Sequence, residues 1–271
     1  MRAVGTEKRM SDFEFRFGGI ARLYGRDGLE RLRQAHVAVV GLGGVGSWAV
    51  EALARTGIGR LSLIDLDEIC VSNVNRQLPA LDGTIGRMKA DVLAERCRAI
   101  NPGVEVRAVA EFFTGASADG LFAEGFDFVV DAIDVVNNKV RLIVLCQERK
   151  IPMVVCGGAG GRRDSTRVAV TDLALASHDK LLTQVRKQLR TDHGFPPGDQ
   201  TFGIPSVYSD EPLVYPQADG EICAARMAGQ TGAELRLNCD TGFGSASFVT
   251  GAFGFAAAGW VVRRLAKASR L

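Results

Sequence analysis

Short apolar runs alternate with longer amphipathic stretches over the first 158 residues. The run at 36–41 (HVAVVG) is continuous rather than alternating, as expected of a strand buried on both faces. Positions 45–56 predict a helix, and 60–65 (RLSLID) a second strand. The next helix is expected to be capped by Thr84, to run to about Ile100 and to stop at Asn101–Pro102. Runs at 104–108, 126–132 (FDFVVDA) and 152–156 (PMVVC) predict three more strands, with a helix over 137–150. This alternation predicts an α/β fold: a doubly wound, Rossmann-like, mostly parallel sheet.

Beyond residue 157 the pattern loosens into an irregular C-terminal elaboration. GGAGG at 157–161 reads as a flexible loop, and 167–173 as a strand. Positions 178–190 are amphipathic, with Leu181, Leu182, Val185 and Leu189 on one face. Residues 191–220, rich in Pro, Gly and Asp, read as a long surface loop. The uncharged stretch 241–262 has the length that crosses a bilayer, about 20 residues. Its Gly, Ala and Ser content favours a buried helix, with a membrane contact beside Arg263 and Arg264 as the second reading. The expected organisation is a polar N-terminal arm (1–35), a nucleotide-binding domain (36–158) and an elaboration of that domain (159–271).

Composition narrows the class. Hydrophobic residues make up 46% of the 271 and charged ones 24%, enough for a large core and unlike a disordered chain. The formal net charge of +2 does not by itself indicate nucleic acid. None of the six cysteines stands in a CxxC pair, so no structural zinc is expected. Their scatter and the charged first residues point to the cytoplasm. His36, His178 and His193 show no ligand spacing.

The chemistry begins at Gly41-Leu-Gly43-Gly44-Val-Gly46, which follows a strand and opens a helix. Glycines there allow a tight turn, close approach of a phosphate and close helix packing, and the phosphate meets the helix N-terminus. Asp65, 24 residues after Gly41, ends the second strand, where a ribose would be held. Asp67, Asn73, Arg76, Lys89 and Asp134 follow, all expected at the carboxyl ends of strands or in the loops beyond them. Two cations and extra carboxylates suit nucleotidyl transfer better than hydride transfer. Arg76 and Lys89 would neutralise charge on the α-phosphate and the leaving pyrophosphate, and Asp134 would hold Mg²⁺.

Residues 141–190 carry ten Arg and Lys against four acids. Read from the residues alone, this run is a solvated helix face; an RNA substrate would make Arg163, Arg186, Lys187 and Arg190 its contacts.

GLGGVGS, IDLD, SNVNRQ, IGRMKA and DAID, in this order, resemble the ubiquitin-activating-enzyme-like (ThiF/MoeB/HesA) adenylating family. RFGGIARLYG, VCGGAGG, RVAVTDLA, VYPQADG and NCDTGFGSAS resemble its tRNA threonylcarbamoyladenosine dehydratase (CsdL-type) branch. The resemblance implies ATP-dependent activation of the threonylcarbamoyl carboxylate on adenosine 37 of tRNA, then cyclisation with net loss of water. It implies ATP and Mg²⁺ as cofactors and a homodimer, in which Arg22 or Arg16 would reach the partner's site. It also names Cys239 as a catalytic candidate, with burial as the equal alternative and Cys223 behind it, and suggests a cysteine desulfurase partner. The alternative substrate is the C-terminus of a ubiquitin-like sulfur carrier.

Overall fold

A computed structural model of the chain describes residues 11–114, 116–217, 221–223 and 243–267. The N-terminal arm is helical: α1 (Asp12–Tyr24) and α2 (Arg26–Gln34). Ser11 and Glu14 cap α1 reciprocally, the Glu14 amide donating to Ser11 Oγ at 3.2 Å and the Ser11 amide to Glu14 Oε2 at 2.8 Å. Phe17 and Leu32 are buried, which ties both helices to the body of the protein.

There follow β1 (His36–Val40), α3 (Gly46–Arg55), β2 (Arg60–Ile64), α4 (Lys89–Ile100), β3 (Glu105–Val109), the short α5 (Ala118–Leu121), β4 (Phe128–Asp131), α6 (Val136–Glu148) and β5 (Met153–Cys156). The chain continues through β6 (Val168–Asp172), α7 (Lys180–His193), β7 (Pro205–Ser209), β8 (Tyr215–Pro216), β9 (Ile222–Cys223) and α8 (Ser247–Leu265). Seven strands form one sheet in the order β3-β2-β1-β4-β5-β7-β6. All its neighbours are parallel except β6 and β7, which pair antiparallel from Val168↔Ser209 to Asp172↔Pro205. The α/β Rossmann-like expectation is met.

Two details differ from the sequence reading. Thr84 does not cap the long helix. Its hydroxyl closes a separate turn by donating to the Pro79 and Leu81 carbonyls, and α4 starts only at Lys89. The stretch 191–220 is not all surface loop, because β7 lies inside it and sits between β5 and β6. β7 begins with proline and has only five residues, so its polar and glycine-rich flanks mask it.

The core lies on both faces of the sheet. Leu53, Leu63, Leu93, Phe253 and Val261 belong to one face, and Leu142, Leu182, Val185 and Leu189 to the other. Each such side chain contributes about 1.5–3 kcal/mol by leaving water. The apolar segment expected to be a buried helix is α8, whose Val249, Phe253, Ala257 and Val261 face inward. It packs directly on α3. A Cβ on Gly254 would lie 2.5 Å from the Val45 carbonyl oxygen, so only glycine permits this approach. Among the described residues no helix is long and apolar enough to cross a membrane.

Candidate active site

The carboxyl ends of β1, β2, β4 and β5 open into one pocket of about 700 Å³. The strand order reverses beside β1, which leaves a crevice between the helices on either side of the sheet. Gly41, Gly43 and Gly44 line it, as do Asp65, Asp67, Asn73, Arg76, Lys89 and Asp134. The residues chosen from sequence thus meet in one place.

The turn between β1 and α3 is built by close packing. A Cβ on Gly46 would fall 1.8 Å from the Gly41 carbonyl oxygen. The Leu42 amide donates to Asp65 Oδ2 at 2.6 Å, and the Asp67 amide to Asp65 Oδ1 at 2.8 Å. Asp65 therefore clamps the glycine loop to the end of β2 in a fixed orientation. Burial raises the Asp65 pKa, opposed by the positive charge of Lys89 and by these two amides.

Lys89 is 5% exposed. Its ammonium pairs with Asp67 Oδ2 at 2.7 Å while Asp67 stays open to the pocket. A lone surface lysine would not be so held. The Asn73 side chain accepts from the Cys70 amide at 3.0 Å, fixing the loop after β2. Arg76 donates to the Ser72 carbonyl at 2.7 Å and to Asn75 Oδ1 at 3.1 Å, and no carboxylate pairs with it among the described residues. Its own carbonyl accepts from Trp48 Nε1 at 3.1 Å and Thr250 Oγ1 at 3.2 Å, anchoring the loop to α3 and α8. Asp134 is exposed at the rim and makes no hydrogen bond or ion pair among the described residues. It is not the N-cap of α6, which is Val135.

Other candidates lie elsewhere. Arg22 is exposed on α1 and does not line the pocket of its own chain, while Arg16 pairs with Asp12 at 2.7 Å. Cys239 lies outside the described residues. Cys156 lines the pocket, but burial pushes its thiol up to about 12, so it holds no thiolate at neutral pH. Arg163 and Lys187 are exposed and unpaired among the described residues. Arg186 bonds the Leu173 carbonyl and Thr183 Oγ1. Arg190 donates to the Pro196 and Gly198 carbonyls and lies over the Phe202 ring at 5.2 Å, holding the 195–202 segment. Among the described residues, no cluster of three or more His, Cys, Asp or Glu could hold a metal ion.

Sequence reasoning passed over a set of buried charges beneath the pocket. Asp131 and Lys139 pair at 2.9 Å with both side chains fully buried. Asp131 Oδ1 also accepts from the Ile133 amide at 3.0 Å, which sets the turn that carries Asp134. Arg162, counted from sequence among the surface cations, is 2% exposed. It donates to the carbonyls of Gly158 at 3.0 Å, Glu211 at 2.7 Å and His178 at 2.9 Å, and lies 3.7 Å from Asp179. Asp179 caps α7 through the Leu182 amide and accepts from the Gly158 amide at 2.9 Å. The legible signal was weak: an aspartate two residues before a helical leucine is a capping cue.

The chain is 46% identical over 260 residues to the tRNA threonylcarbamoyladenosine dehydratase of Haemophilus influenzae, covering 96% of each. The enzyme of the same name from Escherichia coli is 47% identical over 257 residues, covering 94% of this chain and 95% of that one. A crystal structure of the Escherichia coli protein in complex with ATP superposes with a TM-score of 0.83 at 43% identity, covering 94% of this chain and 96% of that one. The profile of the ThiF family matches residues 19–270, and the chain belongs to that family.

Proposed function

We propose that this protein is an ATP-dependent tRNA-modifying enzyme that adenylates the carboxylate of threonylcarbamoyladenosine at position 37 and then drives its cyclisation. The observation that carries the reading is the conjunction, in one pocket, of a glycine loop clamped by Asp65 with two cations, Arg76 and Lys89, poised over it. Near-complete coverage by relatives of that name supports the choice of substrate.

In the first step a carboxylate oxygen attacks the α-phosphorus, and the bond to pyrophosphate breaks. Asp65 would hold the ribose hydroxyls, and the glycine-loop amides with the N-terminus of α3 would hold phosphate oxygens. Arg76 and Lys89 would offset charge developing on the α-phosphate and on the pyrophosphate. In the second step a nucleophilic atom of the same nucleoside attacks the acyl carbon and AMP departs with the bond electrons. Counted from the neutral acid, the nucleoside loses its carboxyl proton, one proton from the attacking atom and the oxygen that leaves on AMP, which together amount to one water. Holding both reactants in one nucleoside makes the closure effectively unimolecular.

Mg²⁺ fits the site in a limited way. Asp134 offers one open carboxylate at the rim, and this ion takes one or two carboxylates plus phosphate oxygens and water. Asp134 would hold it, and it would neutralise phosphate charge. Arg22, which does not line the pocket of its own chain, fits a role across a homodimer. Arg163 and Lys187 would meet the tRNA backbone.

The test is tRNA-dependent release of AMP from ATP, compared with and without the threonylcarbamoyl group. Release only with the modified tRNA supports the reading. AMP release that instead requires a ubiquitin-like carrier moves the substrate to a protein C-terminus.

A further inference from the structure

The pocket has two chemically different ends. Its only lining cations among the described residues, Arg76 and Lys89, lie on the loop beyond β2 and at the start of α4. The turn after β5 contributes Gly157, Gly158, Ala159 and Gly160, with Leu181 and Asn138 beside them, and none is charged. Along the carboxyl edge the strands run β2, β1, β4, β5. The groups therefore follow in the order Asp65, glycine loop, Asp134, and the 157–160 turn. With ribose at the first and phosphates at the second, the last faces whatever approaches the phosphates from the far side.

The sequence reads this turn as a flexible loop, but hydrogen bonds fix it at Gly157, Gly158 and Gly161, leaving part of its backbone open. The Gly157 amide donates to the Val207 carbonyl and the Gly161 amide to the Gly244 carbonyl. Both polar groups of Gly158 are taken, by Asp179 and Arg162. The Arg162 and Asp179 side chains that do this are each 1% exposed. Burying such a pair carries a desolvation cost that only good geometry offsets. Between these fixed points the amides of Ala159 and Gly160 have no acceptor among the described residues. The Asn138 side chain, which lines the same wall, also has no hydrogen bond among the described residues. Unsatisfied donors on a preorganised cavity wall are the usual means of fixing a ligand's orientation.

We infer that the 157–160 turn and Asn138 form the acyl-substrate subsite, which takes a short, uncharged ureido chain ending in a carboxylate. The Ala159 and Gly160 amides and the Asn138 side chain orient the chain, and the carboxylate is presented to the α-phosphate. This assignment rests on the adenylation reading above.

Two variants test it. A Cβ on Gly158 would have its nearest neighbours at 4.0 Å, Asp179 Oδ1 and Leu181 Cβ, so Gly158→Ala is accommodated locally while its methyl group adds bulk to the wall. Asn138→Ala removes a polar group without adding bulk. Each is measured for ATP affinity by equilibrium titration and for KM of tRNA bearing the threonylcarbamoyl group. Both should hold ATP within about twofold of the unmodified protein. The tRNA KM should rise by about 3- to 10-fold, as for loss of a hydrogen bond to an uncharged ureido group. An unchanged KM in both variants overturns the subsite. So does a parallel loss of ATP affinity, which makes this wall part of the phosphate site. If the unmodified protein leaves modified tRNA unconverted, the dehydratase reading falls, and the subsite with it.

Discussion

Charged residues play opposite parts at the two ends of the pocket. At the β2 end Asp67 and Arg76 reach the cavity, and even the buried Lys89 holds an aspartate that is open to it. At the β5 end the cavity wall is neutral, and the charges of Arg162, Asp179, Asp131 and Lys139 lie underneath it. The first set suits a highly charged ligand that must be bound and released. The second cannot reach a ligand directly and instead fixes backbone. A charge in a sequence does not announce which of these it will be, and two substitutions separate them.

The largest effect is expected on stability at the neutral end. Lys139→Met leaves Asp131 buried and uncompensated, which should cost about 3–5 kcal/mol. Chemical denaturation checks this, and a loss below 1 kcal/mol would mean the pair is not buried as described. At the charged end the pattern should reverse. Arg76→Ala should lower turnover about 100-fold or more, the scale of losing one stabilising donor at a developing charge. Its unfolding midpoint should stay near that of the unmodified protein. A variant equally active or grossly unstable would erase the contrast.

Gly254→Val lies outside both ends. It forces α8 off α3 and should cost about 1–3 kcal/mol by overpacking. The smallest effect concerns Glu51, on α3. Burial would raise its pKa, but hydrogen bonds from Arg96 and Arg55 outweigh this and hold it below the usual carboxylate value of 4.5. A depressed value stabilises the fold above the ordinary carboxylate range, and that contribution is lost as pH falls through the depressed value. Both arginines are partly exposed, so Glu51→Gln should cost about 1 kcal/mol at neutral pH, with the difference closing in acid.

The same contrast explains what the sequence made legible. β1, β4 and β5 are nearly continuous apolar runs and β2 and β3 alternate, and the glycine loop with Asp65 has a fixed spacing that only a few ligands require. Asp67, Asn73, Arg76, Lys89 and Asp134 could be gathered because each follows a strand end, and strand ends converge. β7 was hidden by its proline and flanking glycines, although Ser206, Val207 and Ser209 are buried. The helices of the arm were announced only by the S-x-x-E cap at Ser11 and Glu14. Arg162 could not be told from the surface cations around it, because its partners, Gly158, His178 and Glu211, come from three separate loops. Arg186 and Arg190 likewise read as free cations, yet both are tied to local carbonyls.

The measurement that bears most directly on the account is the mass of one nucleoside. The purified protein is incubated with ATP, Mg²⁺ and tRNA bearing threonylcarbamoyladenosine, and the digested nucleosides are weighed. The account predicts a derivative lighter by one water, absent with Arg76→Ala. An unchanged mass from a protein that still binds ATP would contradict it.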